Sequence, residues 1–161
     1  MSLQTLQNLV QRPDWGKNVV AWVGDRAALD PVLQGTAQVP LDLLDLFPED
    51  EALPAARDER AELLQERLEQ HLRQLRPEGA ERVVLRVRNA ALLARYGVGL
   101  RSFYNWFAGS RTMTVLEVGR VKPVPFPDTV AGTLRYDPDW LANYFRPLLP
   151  RPENLCTEAS S

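Results

Sequence analysis

The sequence predicts an α/β domain of three layers, built around a parallel sheet. Two short apolar runs, Asn18–Val23 and Arg82–Val87, are each followed by a turn and then by a helical pattern. Strands that alternate with helices need crossover connections, which place the strands parallel to one another. We therefore expect these two runs to be neighbouring strands of one sheet that is covered on both faces.

Length and composition are those of a single soluble domain in a reducing compartment. The chain has 161 residues and a net charge of −2, which gives no electrostatic indication of nucleic-acid binding. Its single cysteine, Cys156, excludes an internal disulfide. No apolar run reaches the roughly 18 residues that span a bilayer. We expect a cytoplasmic protein with one domain over residues 1–149 and a flexible, proline-broken tail over 150–161.

The first half of the chain alternates short helical and extended patterns. Leu3, Leu6, Leu9 and Val10 follow helical spacing and predict a helix over 2–11. Downstream of it, the pattern predicts a strand at 18–23, one or two helical turns at 27–33, a short strand at 38–41 and a helical turn at 42–47. Prolines clustered from Pro40 to Pro54 mark connections.

The second half contains the strongest helical signal. Leu64, Leu68, Leu72 and Leu75 form one apolar stripe and predict a helix over 54–75. Further elements are predicted as a strand at 83–87, helical turns at 90–96, an aromatic-faced helix at 100–107 and a strand at 112–118. Asp137 as a cap and Pro138 at the first helical position predict a last helix that runs to 147.

The turn after the first strand occupies the place of a phosphate-binding loop but lacks its residues. A P-loop has the pattern G-x-x-x-x-G-K-[ST], in which backbone amides, a lysine and a hydroxyl hold phosphates and magnesium. Counted from Gly24, the second glycine of the pattern is replaced by Leu29, the lysine by Asp30 and the serine or threonine by Pro31. Asp30 would repel a phosphate, and Pro31 offers neither hydroxyl nor N–H. An ordinary strand–helix turn is favoured.

No other motif supplies catalytic chemistry. After the strand at 83–87, Arg88 and Asn89 stand where a Walker B acid would position magnesium, and we expect Asn89 to cap the following turn. His71 is the only histidine, so a zinc site with cysteine is excluded and a Cys–His dyad is disfavoured. We predict no catalytic residue, metal ligand or cofactor-binding residue.

Arginine and aromatic residues mix in one segment and indicate contacts with a partner. The candidate contact residues are Arg101, Trp106 and Arg111. Glu117 alternates with apolar neighbours in the strand at 112–118. It therefore needs a partner such as Arg86 or Arg120, unless it lies at the end of the sheet.

The order of elements from Val19 to Tyr144 resembles the small P-loop ATPase subunit of bacteriophage-exclusion (BREX) phage-defence systems. The residues that carry the resemblance are Val83–Asn89, Leu92-Leu93, Leu100, Phe103, Phe107, Ser110-Arg111-Thr112, Thr114–Val118 and Tyr136-Asp137-Pro138, with comparable elements at Leu41–Leu46 and Arg57–Leu75. In that family a Walker B strand is followed by a helix, an arginine-containing loop and a sensor strand. The resemblance implies a P-loop-like topology, without the family's nucleotide-binding lysine and hydroxyl.

That resemblance implies a degenerate, non-catalytic subunit or adaptor of a phage-defence complex, which binds other protein subunits and no nucleotide. Two alternatives remain open at this point. A divergent ATP-binding enzyme would need its lysine from Lys17 or Lys122, the two lysines of the chain. A nucleic-acid-binding module would use five arginines, although the net charge disfavours it: Arg82, Arg86, Arg88, Arg95 and Arg101.

Overall fold

Five parallel strands form the central sheet of the protein. The computed structural model describes residues 3–13, 15, 18–47, 52–75, 82–106, 112–119, 124–125, 133–134 and 137–157. The strands of the sheet are β1 (Asn18–Gly24), β2 (Ala37–Asp42), β3 (Val83–Arg88), β4 (Thr112–Gly119) and β7 (Leu155–Thr157), in the order β2-β3-β4-β1-β7. Two short strands, β5 (Val124–Pro125) and β6 (Thr133–Leu134), pair with each other antiparallel.

In the described ranges six helices accompany the strands: α1 (Leu3–Val10), α2 (Leu29–Leu33), α3 (Arg57–Gln74), α4 (Ala91–Tyr96), α5 (Arg101–Trp106) and α6 (Pro138–Phe145). Single 3-10 turns lie at Arg26–Ala28, Leu43–Leu46, Arg146–Leu148 and Pro152–Asn154. The predicted helices at 2–11, 54–75 and 137–147 therefore form, each with slightly shifted ends. Within the described residues, no helix is both long enough and apolar enough to cross a membrane.

The strands β1 and β3 share the sheet, but they are not neighbours. β4 lies between them, so that Thr114 pairs with Val19 on one side and with Leu85 on the other. The expectation that the two apolar runs lie side by side is therefore wrong. The apolar pattern of a buried strand identifies the strand, whereas its position in the sheet depends on crossover connections that the pattern does not contain.

Alternate side chains of β1 belong to two separate cores. Val20 and Trp22 pack with residues of α1 and α2 on one face of the sheet. Val19, Ala21 and Val23 pack with residues of α3, α4, α5 and α6 on the opposite face. The connection from β1 to β2 runs along the sheet in the direction opposite to that of the later strand connections. Because crossovers are right-handed, α2 in this connection lies on the face opposite to the helices of the later connections. The three-layer α/β fold with a parallel sheet is confirmed.

The helix ends follow from local hydrogen bonding. Asp137 caps α6, since its carboxylate accepts from the backbone N–H groups of Asp139 and Trp140, as the sequence predicts. α4 ends at Gly97, whose φ of 72° is the left-handed conformation. The N–H of Val98 then reaches the carbonyl of Leu93 at 2.8 Å, which closes the helix.

The C-terminal segment is part of the fold, contrary to the predicted flexible tail. Leu155–Thr157 pair with Ala21–Val23 of β1 and form one edge of the sheet. Cys156 is 1% exposed, and Asn154 donates from Nδ2 to the carbonyl of Val19 at 2.8 Å. The strand was missed because three residues that closely follow Pro152 are too few to show periodicity. Residues 158–161 of the predicted tail lie outside the described residues.

The opposite edge of the sheet is β2, which pairs only with β3. Its face toward the helices is apolar through Val39 and Leu41, and Leu41 is buried. Pro40 stands in the middle of this strand and has an exposed side chain. Because proline has no N–H, it is compatible with an edge strand and not with a central one.

Candidate functional site at the carboxyl edge of the sheet

The neighbouring strands β1 and β4 define the point at which a ligand would be expected. The connection from β1 leads to α2 on one face of the sheet, and the connection from β4 leads to α6 on the other. In open α/β sheets, ligands bind outside the carboxyl ends of two such strands, where their connections diverge. The residues to examine are therefore those at the ends of β1, β3 and β4.

The turn that follows β1 uses its own amides. The carboxylate of Asp25 accepts from the N–H of Ala27 at 3.0 Å, and the carbonyl of Asp25 accepts from the N–H of Ala28 at 3.1 Å. Leu29 donates its N–H to carbonyls of the same turn, and Trp22 fixes the bend by donating from Nε1 to the Asp25 carbonyl at 2.8 Å. An anion would need several free amides here. A carboxylate of the chain occupies that place.

Asp30, which stands at the P-loop lysine position, is an ion-pair partner. Its Oδ1 accepts from Nη1 of Arg86 at 2.9 Å, and its side chain is 66% exposed. The same guanidinium nitrogen donates to Oε1 of Gln38 at 3.1 Å. The predicted incompatibility of this position with phosphate therefore has a structural counterpart, because its carboxylate is directed to an arginine of β3.

Arg86 and Glu117 form the central contact of this edge. Arg86 donates from Nε and Nη2 to Oε1 of Glu117 at 3.1 and 2.5 Å, and Glu117 is only 2% exposed. Nε of Arg26 lies 3.9 Å from the same oxygen. The sequence left three alternatives for Glu117, and the structure shows the pairing with Arg86, whereas Arg120 lies outside the described residues. Among the described residues, Oε2 of Glu117 has no hydrogen-bond partner.

The environment of Arg86 keeps it charged. Burial by itself lowers the pKa of Arg86, but the hydrogen bonds and negative charges of Asp30 and Glu117 outweigh burial and raise that pKa above its usual value. A guanidinium with two carboxylate partners has little remaining capacity for an anionic ligand. The charges at this edge are thus largely satisfied within the protein.

Asn89, at the Walker B position, connects two strands. Its Nδ2 donates to Oδ1 of Asp42 at 2.7 Å, and that oxygen also accepts from the N–H of Leu44 at 3.0 Å. The expectation that Asn89 caps the next turn is wrong, because Ala90 takes the cap position of α4 without a side-chain bond. Asn89 has a φ of 58°, which asparagine tolerates better than most residues. Its side chain joins the carboxyl ends of β2 and β3.

The predicted contact residues are only partly placed. Arg101 begins α5 and is exposed. Trp106 is the last residue of that helix, and its side chain lies outside the described residues, as does Arg111. In the described part of the chain there is no group of three or more His, Cys, Asp or Glu side chains that could hold a metal ion.

An exposed tryptophan on α6 was not among the predicted contacts. Trp140 is 51% exposed and is the one large apolar side chain of the described residues that is so open to solvent. It stacks on Tyr144, with ring centroids 6.1 Å apart and planes at 24°. The signal in the sequence is its position, since Leu141, Ala142 and Phe145 form the buried stripe of α6 and Trp140 lies beside it.

A cleft of about 370 Å³ lies between α3 and the loop that follows α4. Its lining residues are Ala61, Glu62, Gln65, Glu66, Glu69, Gly97, Val98 and Gly99. Gln65 donates from Nε2 to Oε1 of Glu69 at 3.0 Å and to Oγ of Ser102 at 2.6 Å. Tyr144 donates its hydroxyl to the carbonyl of Val98 at 2.8 Å, which brings the aromatic pair next to the cleft.

Fold and edge together define a three-layer α/β protein with a parallel sheet, in which ion pairs and hydrogen bonds within the chain occupy the carboxyl ends of the strands. No protein-family model, no curated protein and no solved structure matches the chain.

Proposed function

We propose that the protein is a non-catalytic, P-loop-like subunit or adaptor of a bacterial phage-defence complex, which works in the cytoplasm through contacts with other proteins. The observation that carries the proposal is the turn after β1. Asp25 and the carbonyls of that turn take the amides that a phosphate would need. A scaffold of this kind with its anion site occupied by its own side chain is suited to binding proteins rather than nucleotides.

The arrangement of the sheet supports the P-loop-like assignment. The resemblance equates β3 with a Walker B strand and β4 with a sensor strand. Both lie in the same parallel sheet as β1, and all three carboxyl ends point to one edge. The positions of the missing acid and lysine, Asn89 and Asp30, make contacts within the protein there. The scaffold is consistent with the family, and the nucleotide chemistry is replaced.

The arginines of the nucleic-acid alternative are not a free basic patch. Arg82 donates from Nη2 to the carbonyls of Val10 and Arg12, and its guanidinium lies 4.0 Å from the centre of the Trp15 ring. Arg86 is paired with Asp30 and Glu117. Two of the five candidate arginines, Arg82 and Arg86, thus stabilise the fold.

A titration of the purified chain with a fluorescent ATP analogue and magnesium tests the first half of the proposal. We expect no saturable binding at micromolar concentrations. Saturable micromolar binding that is lost when the Gly24–Ala28 turn is altered would overturn the proposal and favour the divergent enzyme. In that event Lys17→Ala and Lys122→Ala, which lie outside the described residues, would identify the lysine.

Purification of the tagged chain from its native host tests the second half. We expect a protein partner that co-purifies in stoichiometric amount. The complex should remain intact after nuclease treatment and after ATP is added. A gel shift that weakens steeply with salt would instead indicate a nucleic-acid-binding module, because binding through several phosphates releases counterions. Recovery of the chain alone, with no partner under crosslinking, would contradict the adaptor function.

A further inference from the structure

We propose that the cleft between α3 and residues 97–99, together with the Trp140–Tyr144 pair, is a docking surface for a basic linear segment of a partner protein. The inference rests on the proposed function, because it names the kind of partner that a non-catalytic adaptor would bind. We call this surface the acidic–aromatic cleft. It is separate from the edge of the sheet at which β1 and β4 end.

Three glutamates form one side of the cleft. Glu62, Glu66 and Glu69 stand at i, i+4 and i+7 on α3 and line the cleft together. Within the described part of the chain, none of them forms an ion pair. Like charges at i, i+4 on a helix repel each other and destabilise it. A cationic segment in the cleft would relieve that repulsion.

The opposite side of the cleft leaves room for a peptide backbone. Gly97 and Gly99 present no side chains, and a Cβ placed on Gly99 would meet no atom within 4 Å. Two hydrogen bonds fix the carboxylate of Glu69, whose Oε1 accepts from Gln65 and from the hydroxyl of Ser102 at 3.3 Å. This wall is therefore open backbone at Gly99, whereas the guanidinium of Arg57 covers Gly97. The other wall bears a carboxylate with a fixed orientation.

The aromatic pair supplies the apolar part of the surface. Trp140 and Tyr144 stack, and the Tyr144 hydroxyl is bonded to the carbonyl of Val98 in the cleft wall. Tryptophan and tyrosine dominate binding energy at many interfaces, and both rings attract arginine through cation–π contacts. Asp137 and Asp139, exposed at the start of the same helix, add negative charge. Aromatic faces surrounded by carboxylates fit an arginine-rich or lysine-rich segment.

The charge pattern also indicates which part of the cleft would receive the basic side chains. Arg57, at the start of α3, donates from Nε to the carbonyl of Arg95 at 3.2 Å, and its guanidinium lies close to Gly97. Arg101 is exposed at the start of α5. The basic side chains of the partner would therefore face Glu62, Glu66 and Glu69 rather than the Arg57 end. A nucleic acid would be repelled by the same carboxylates.

Fluorescence anisotropy with labelled nona-arginine as the probe, and labelled nona-glutamate as the matched acidic probe, tests the inference on the full chain. We expect saturable binding of nona-arginine at low salt and none of nona-glutamate. The double variant Glu62→Gln/Glu66→Gln should weaken binding about fivefold, since two exposed charge contacts are lost. Trp140→Ala should weaken probe binding about threefold or more. The change in intrinsic tryptophan fluorescence when the probe binds should also be smaller in this variant.

The control variant Asp45→Asn/Glu153→Gln removes the same net charge outside the cleft and should bind the probe as the unmodified chain does. Equal weakening by both double variants would overturn the inference in favour of unspecific charge attraction. Absence of probe binding would overturn it too, while a protein partner recovered from the native host and a lack of ATP binding would together still support the proposed function. Self-association that Glu62→Gln/Glu66→Gln abolishes in sedimentation velocity would replace the partner segment with a second copy of the chain.

Discussion

Arg86 on β3 donates two hydrogen bonds to one oxygen of Glu117 on β4, and the carboxylate is almost completely withdrawn from solvent. The pair crosses two neighbouring strands at the carboxyl edge of the sheet. A buried ion pair is costly to break from one side, because removal of one partner leaves the other charge uncompensated. The closed edge of the sheet therefore depends on both residues.

Glu117→Ala should lower the free energy of unfolding by about 3–5 kcal/mol, because Arg86 then loses its buried counter-charge. Asp30→Ala removes the exposed partner of the same arginine and should cost about 0–1 kcal/mol. Urea denaturation followed by circular dichroism measures both. Equal losses for the two variants would contradict the assignment of Glu117 as the dominant partner.

Gly97→Ala should destabilise the protein by about 1 kcal/mol, since an alanine at a φ of 72° is strained in the left-handed region. Gly99→Ala is the matched control two residues away, because a Cβ there meets open space and its φ is not positive. Thermal melts of both variants compare the two positions. An unchanged melting temperature for Gly97→Ala would show that α4 does not end in the left-handed cap described above.

Burial raises the pKa of the Cys156 thiol from 9.0 to about 11. At pH 8 the native thiol should react with a disulfide reagent roughly a hundredfold more slowly than the unfolded chain, before any steric protection is added. Stopped-flow labelling in buffer and in denaturant gives the ratio. Similar rates in both would place Cys156 at the surface.

The same shift makes stability fall at alkaline pH. The folded pKa lies above the unfolded one, so its contribution is complete below pH 9 and is lost as pH rises through about 11. The expected loss is about 2–3 kcal/mol for two pKa units. Cys156→Ala should show a shallower decline over this window, and the remaining slope reports groups such as Tyr104 and Tyr144, whose pKa values burial also raises.

A chain that ends at Arg151 should be less stable by at least about 3 kcal/mol, because it loses the buried Leu155 and Cys156 and leaves β1 without a neighbour on one side. A chain that ends at Thr157 keeps every described residue and is the reference. Chemical denaturation compares the two. If both unfold at the same denaturant concentration, the segment behaves as the tail that the sequence predicts.

The sequence predicts the layers of the fold better than the order of its strands. Continuous apolar runs such as Val19–Val23 reveal strands buried on both faces, and the leucines of α3 reveal one helical face. Neither pattern shows that β4 lies between β1 and β3. That order arises from long-range pairing, whose sequence separation no local pattern records. The strand β7 was missed for a related reason, because three residues are too few to show a period.

At the candidate site, features that depend on the type of residue could be predicted from the sequence. Contacts between residues far apart in the chain were harder to predict. The absence of a lysine at Asp30 is visible in the sequence, and so is the need of Glu117 for an arginine. The bond between Asn89 and Asp42 joins residues 47 positions apart, and a local capping pattern could not anticipate it. Trp140 was overlooked because exposure depends on which side of α6 the rest of the protein covers.

Pro40 in the outer strand β2 has a consequence for how the molecule meets its neighbours. Pro40 lacks the backbone N–H that a further strand paired with β2 would need. The hydrogen-bonded ladder therefore cannot be extended in register past this position. Edge-to-edge aggregation of copies of the chain into fibres through β2 is thereby disfavoured. Association at this edge therefore has to be made by side chains, and the sheet ends at β2.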